Sequence, residues 1–283
     1  MDPTTTYSFT IYNVSGGVQS YSLFSQPPAI DPMPEGLVSH SLLSARNVPS
    51  ASGTATMAIQ RDNFFAICGA TYQDEAACVS VLDRKPVRLG SGPPKDVRGT
   101  TVALRVDSGT PFFGSWEGSG ADCGRRDAFC LNTGDGFTLK EARDRQFIAA
   151  LGLSTAPSYH VGLHTSFTPA PNTKYQIAPS RVYYIIPAST EIKQYKASEM
   201  DLSCAFKVDF STGPPHVKIN PAVQHDAGDG VLHVRDAVQA EQAATAADAV
   251  PLVEATFSVR QKELAALHVS DDRLEAVDAK VGG

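Results

Sequence analysis

The stretch Tyr7-Ser-Phe-Thr-Ile-Tyr12, followed by Asn13-Val-Ser-Gly-Gly17 and Val18-Gln-Ser-Tyr-Ser-Leu-Phe24, decides the fold class. Large apolar and small polar residues alternate through 7–12 and again through 18–24. Successive strand side chains point to opposite faces, so this alternation marks half-buried strands. Asn and Gly tolerate positive φ and suit the turn between them. The two segments read as an antiparallel hairpin.

Working outward, Gln26–Pro34 holds four prolines. Proline cannot donate to a ladder, so this is no central strand. Strand character returns at 55–60, 63–68, 78–82, 100–106, 159–167, 175–186, 204–210, 216–220, 231–234 and 255–259, with the loop GSGPPKD at 90–96. Residues 137–148 admit two readings. Thr138 with Glu141 three positions later suits a helix cap, while the segment also fits a hairpin. Asp236–Val250 is Ala-rich and reads as a helix or a linker, and 260–267 and 272–280 continue the helical composition. No repeat of 20–50 residues is present, and alternating βα units are absent. The expected fold is therefore all-β: an antiparallel β-sandwich or jelly-roll-like barrel with minor helical content near the C-terminus. A single domain over 1–283, or two closely packed β layers, is expected, with a possible subdivision near 136–150.

The chain has 283 residues, with 24 Lys and Arg against 30 Asp and Glu, giving a formal charge of −6. An acidic chain with 19% charged residues is a poor general nucleic-acid binder. A hydrophobic content of 42% argues against disorder. No run approaches the ~20 apolar residues that cross a bilayer. MDPTTTYSFT lacks the basic and apolar regions of a secretory signal, so a cytoplasmic location is expected unless a signal was removed. Asn13-Val14-Ser15 is a formal glycosylation sequon. The five cysteines are Cys68, Cys78, Cys123, Cys130 and Cys204. An odd count argues against a complete disulfide framework. Cys68 with Cys78, and Cys123 with Cys130, each flank a short turn that a disulfide would close in an oxidising compartment.

Familiar catalytic motifs are missing: no GxSxG elbow, P-loop, dinucleotide fingerprint, HExxH or EF-hand loop occurs. His160 and His164 lie in His-Val-Gly-Leu-His. On a strand they stand ~13 Å apart, too far to share one ion at ~2 Å bond lengths. No metal is expected. They are instead polar residues at a sandwich mouth or on the surface. Phe112-Phe113-Gly-Ser-Trp116-Glu117-Gly-Ser-Gly places three aromatic rings beside small residues. Rings give flat apolar walls and small residues allow close approach to a ligand; equally, Trp116 fits as a core plug. Tyr183 and Tyr184 face opposite sides of their strand, and an inward hydroxyl either bonds a substrate carbonyl or sits at the core rim. Arg125 and Arg126 with Asp122 and Asp127 read as a solvated turn.

The segment 7–24, together with Asn63-Phe-Phe-Ala-Ile-Cys-Gly and Phe113-Gly-Ser-Trp, resembles fungal proteins encoded beside secondary-metabolite genes. The chain is most similar to the hetero-Diels–Alderases of tropolone-sesquiterpene pathways, over residues 1 to about 235. The resemblance implies a cofactor-free pericyclase. Such enzymes join an o-quinone methide, formed by water loss from a hydroxymethyl tropolone or phenol, to an alkene of a humulene-type terpene, and a dihydropyran results. It carries over no catalytic residue.

The reaction requires two apolar partners held face to face and a donor to the oxygen where negative charge gathers. The residue types available are Phe112, Phe113 and Trp116 as walls, with Tyr72, His160, His164 and Tyr184 as donors. Two other classes fit the same residues: a non-catalytic lectin-like or lipid-binding sandwich, and an isomerase or hydrolase with a His base. Small apolar substrates are the expected partners, and a dimer is compatible with the pattern.

Overall fold

The structure is a computed structural model that describes residues 5–13, 17–50, 53–72, 75–93, 96–114, 123–156, 160–188, 194–196, 202, 205–211, 216–219, 229–238 and 253–258. It is an all-β fold of curled, mostly antiparallel sheets.

The largest sheet is built on β6 (Gly53–Tyr72). One side of β6 carries β1 (Thr5–Asn13), β18 (Asp229–Val238) and β19 (Val253–Ser258). The other carries β11 (Phe147–Ala156), β12 (Val161–Thr168), β4 (Glu35–His40) and β15 (Gln194–Lys196). The far end of β6 folds back onto β7 (Glu75–Val87). A second sheet runs β3 (Ala29–Asp31), β13 (Lys174–Ala178), β10 (Phe129–Thr133), β8 (Thr101–Asp107), β9 (Thr110–Gly114). Its β10–β8 pairing is parallel. A third runs β17 (His216–Ile219), β16 (Phe206–Asp209), β14 (Val182–Ala188), β2 (Gln19–Ser25), β5 (Leu43–Val48).

One core joins the three sheets. Phe9 and Ile59 come from the first, Leu104 and Phe129 from the second, and Leu23, Tyr183 and Ile185 from the third. Period-2 alternation is what makes this possible. Tyr7, Phe9 and Ile11 point inward from β1, and Tyr183 meets Tyr7 and Phe9 edge-on at centroid distances of 6.1 and 5.8 Å. Burying such rings contributes roughly 1.5–3 kcal/mol each.

Three local expectations are corrected. The segments 7–12 and 18–24 are both strands, but they do not pair. β1 lies between β6 and β18, and β2 lies between β14 and β5. The chain changes sheet at the intended turn. Asn13 holds this crossover, its Nδ2 donating to the carbonyls of Gly17 (2.8 Å) and Val48 (2.6 Å). The two segments 55–60 and 63–68 belong to one strand, β6, which continues through Arg61-Asp62. Conversely, 175–186 is two strands in two sheets, divided at Pro179-Ser180-Arg181. A single-strand reading misses a sheet change because both halves alternate equally well.

The proline-rich segment contributes only the edge strand β3, as its missing N–H groups require. The two readings of 137–148 resolve into α1 (Leu139–Asp144), whose capping box uses Thr138 and Glu141 reciprocally, followed by β11. Residues 236–238 finish β18; the rest of the Ala-rich segment, 239–250, and the stretches 260–267 and 272–280 lie outside the described residues. Among the described residues no helix is long and apolar enough to cross a membrane.

Candidate functional site

A cleft of about 580 Å³ opens where the three sheets converge on the loop after β7. Its lining joins four chain segments: Asp62, Val87 to Pro93, Arg126 with Asp127, and Arg181. The loop is laid against its neighbour by backbone bonds. The Gly90 amide donates to the Ala128 carbonyl, and the Asp127 amide donates to the Gly90 carbonyl, both at 2.9 Å. A Cβ on Gly90 would collide with the Arg125 carbonyl oxygen, so glycine is needed for this approach. The next glycine, Gly92, lies under the Arg126 side chain, whose Nε would stand 3.1 Å from an added Cβ.

The other wall comes from β6 and the entry to β14. The β11–β6 register jumps between Leu153↔Phe64 and Thr155↔Ile59, so Gln60–Asn63 bulges from the ladder and delivers Asp62 to the cleft. Arg181 precedes β14 and stands 3.7 Å from Asp62; its carbonyl accepts from the Phe210 amide at 3.0 Å. Arg126 pairs with Asp127 at 3.3 Å. The floor is apolar, since Val87 is buried and Leu89 packs on the core. The lining thus includes three arginines, Arg88, Arg126 and Arg181, beside a small apolar surface. Guanidinium groups keep their charge at any physiological pH and present fixed forks of donors.

The residues singled out from the sequence are scattered. His164 is wholly buried on β12. The β11–β12 register passes from Leu151↔Thr165 to Gly152↔Leu163, so His164 is the extra residue of a bulge. A bulge re-aims its side chain, and His164 Nδ1 shares a 2.6 Å hydrogen bond with Thr165 Oγ1. His40 on β4 is buried nearby and shares a 2.7 Å bond with Ser166 Oγ. Burial holds both imidazoles neutral. It lowers the His40 pKa to about 4, while burial and then the neighbouring His40 charge lower His164 to about 3. Within this sealed group, His164 Nε2 and Ser39 Oγ have no hydrogen-bond partner among the described residues.

His160 is exposed just before β12, and its carbonyl accepts from the Thr155 amide (2.7 Å) and hydroxyl (3.0 Å). Tyr183 and Tyr184 do face opposite sides of β14. Tyr184 packs with Phe24, Val182 and Ile186, and burial, then Asp209, raises its pKa. Phe113 points into the core, whereas Phe112 is 37% exposed. Tyr72 ends β6, with its side chain outside those described; Trp116 lies outside the described residues. None of His160, His164, Tyr184, Phe112 or Phe113 lines the arginine cleft. Among the described residues no three His, Cys, Asp or Glu side chains converge as metal ligands.

Part of the cleft was present in the sequence as a solvated turn at 122–127 and a Gly-Pro loop at 90–96, while Asp62, Arg88 and Arg181 were not singled out. The signal that unites them is a long-range backbone bridge, Gly90 to Arg126, which spacing along the chain does not display. Compared with protein-family models, curated proteins and solved structures, the chain matches none.

Proposed function

We propose that this protein is a cofactor-independent cyclase whose arginine cleft joins an o-quinone methide to a humulene-type alkene by a hetero-Diels–Alder reaction. One observation carries the reading: Arg88, Arg126 and Arg181 line a cleft floored by Val87, Leu89 and Pro93. Its volume of about 580 Å³ falls within the range of small-molecule sites. The likeness of residues 7–24 and 63–69 to the pathway cyclases points the same way.

The chemistry follows from the parts. The quinone methide supplies C=C–C=O and the alkene two carbons. One C–C and one C–O bond form together, giving a dihydropyran with no proton transferred. Negative charge gathers on the quinone-methide oxygen as its ring regains aromaticity. A guanidinium N–H aimed at that oxygen stabilises the transition state more than the ground state. The apolar floor holds the alkene against the heterodiene, removing translational freedom from the barrier. Asp62 and Asp127, which also line the cleft, pair with Arg181 and Arg126 and so orient their guanidiniums. In this reading the donors are arginines of the cleft, and the histidine pair and Tyr184 act within the fold.

The test incubates the protein with the hydroxymethyl precursor and a humulene alcohol. The expected result is faster adduct formation and a stereochemical ratio unlike the protein-free control. Arg126→Ala or Arg181→Ala should lower the rate by about 10²–10³ if the residue is the principal donor. Yield and ratio equal to the control would overturn the reading. Saturable binding of the terpene without turnover would replace it with a carrier.

A further inference from the structure

We infer that Cys123 and Cys130 form a reversible dithiol–disulfide site that braces the arginine-bearing loop of the cleft. The bond itself does not depend on what the cleft binds.

Cys130 is the second residue of β10 and is fully buried, with Thr101 of β8 opposite it on one side and Gln176 of β13 on the other. Both neighbours hold the segment that carries Cys123. The Cys123 amide donates to Thr101 Oγ1 at 2.7 Å. Gln176 Nε2 donates to the Cys123 carbonyl at 3.3 Å, and Gln176 Oε1 accepts from the Arg125 amide at 2.9 Å. Gly99 and Gly124 exchange two backbone bonds at 2.9 and 3.0 Å. A Cβ on Gly124 would stand 2.7 Å from Gly99 Cα, so the pair of glycines is what lets the segment lie flat. Cys123 is thereby laid over Cys130. The Cys130 thiol has Cys123 as a close neighbour, and both cysteines are free.

The pair is asymmetric in a way that orders the chemistry. Cys123 is half-buried and meets solvent; Cys130 does not. Burial, and then its contact with Cys123, pushes the Cys130 thiol up to about 12. Shut away from solvent, it does not meet outside reagents, and its only reachable sulfur is that of Cys123. Cys123 reacts first. With a low-molecular-weight disulfide such as oxidised glutathione, Cys123 sulfur displaces one glutathione thiol, which leaves with the Cys123 proton. Cys130 sulfur then attacks Cys123 sulfur in the mixed disulfide. The second glutathione leaves with the Cys130 proton. Two protein thiols are oxidised and one disulfide is reduced to two thiols.

The consequence lies between the two cysteines. The closed ring contains Arg126 and Asp127, both of which line the cleft, and Arg125, which pairs with Asp31 at 2.9 Å. Arg126 is also bridged to Gly90 of the opposing loop. Tying the ends of this segment limits its excursions and so the positions open to the Arg126 guanidinium.

The experiment uses the full chain, folded, with and without oxidised glutathione at mildly alkaline pH. Remaining thiols are alkylated, and trypsin then cuts after Arg105, Arg125, Arg126 and Lys140. The expected product is a disulfide joining residues 106–125 to residues 127–140. It is lost on reduction with dithiothreitol and in Cys123→Ser, while Cys130→Ser retains a glutathione adduct on Cys123. Alkylation of both cysteines after oxidation, a lasting adduct on Cys123 of the unaltered chain, or linkage to another cysteine would overturn the site. Bracing is read separately, by native-state tryptic cleavage at Arg125 and Arg126. It should be several-fold slower in the oxidised form, and an equal rate would overturn the bracing. Neither readout involves cyclase activity, so failure here and failure of the proposed reaction are distinguishable.

Discussion

Two polar regions of this molecule have opposite fates. Around the β12 bulge, His40, His164, Thr165 and Ser166 are shut inside the fold, bonded to one another and held neutral. At the loop after β7, Arg88, Arg126, Arg181, Asp62 and Asp127 line an open cleft. The residue types alone would rank the histidines as the better chemistry, since imidazole titrates near neutrality. Burial reverses that ranking. Imidazoles whose pKa values burial lowers to about 4 and about 3 are neutral near pH 7 and act as structural groups, while an arginine needs no tuning to act as a donor. The difference teaches that the site follows from solvent access and fixed charge, and that the bulge serves the sheet.

The widest gap between the two regions should appear in acid. Both histidines have folded pKa values below the unfolded value of 6.5, at about 4 and about 3. Unfolding therefore takes up protons below pH 6.5. Their contribution to stability is full above that value and is lost as pH falls toward 4 and 3. Each group adds a slope of up to ~1.4 kcal/mol per pH unit, so the pair gives up to ~2.7. Denaturant titrations between pH 6.5 and 5, above the carboxylate range, would measure it. His164→Leu should roughly halve the slope. A flat profile in the unaltered protein would mean that the bulge is open to water and the contrast is false.

A smaller effect separates the two adjacent aromatic residues of β9. Phe113 is 5% exposed and belongs to the shared core, whereas Phe112 is 37% exposed. Phe113→Ala should cost about 3–5 kcal/mol by cavity formation. Phe112→Ala should cost about 0.5 kcal/mol or less. Equal losses in urea unfolding would show that Phe112 packs where the structure leaves it exposed.

How much of this was legible in the sequence depends on distance along the chain. Many of the strands, the exclusion of 26–34 from a central position and the capping option at Thr138 follow from residues within a few positions of one another, whereas the strands at 35–40, 43–48, 110–114, 129–133 and 147–156 are not marked. Alternation at 7–12 and 18–24 located both strands but could not choose their partners. β1 pairs with residues 53–60 and 230–238, and β2 with 183–188 and 43–48. The same limit hid the cleft. Asp62 meets Arg181 across the bulge of β6, and Gly90 meets Arg126 across two sheets. Nothing local distinguishes the solvated turn at 122–127 from one that lines a site. The cysteine pair was more accessible, because only six residues separate Cys123 from Cys130.

The smallest expected effect is a null in stability at the cleft. Arg126 has a side chain 74% exposed, and its ion pair with Asp127 spans 3.3 Å. In solvent of high dielectric such a pair gains little, and holding two long side chains together costs entropy. Arg126→Ala should therefore change unfolding free energy by about 0.5 kcal/mol or less, at low and moderate salt alike. Under the proposed reaction, the same substitution is expected to depress the rate of adduct formation strongly. Only a residue positioned for ligand chemistry shows that split, because a structural arginine would lose both together. If Arg126→Ala instead lowered stability by 2 kcal/mol or more, on the scale of a lost buried partner, the guanidinium would be a strut between the 90–93 loop and the 125–127 segment. The cleft would then resemble the histidine pocket in kind, polar groups spent on holding the fold.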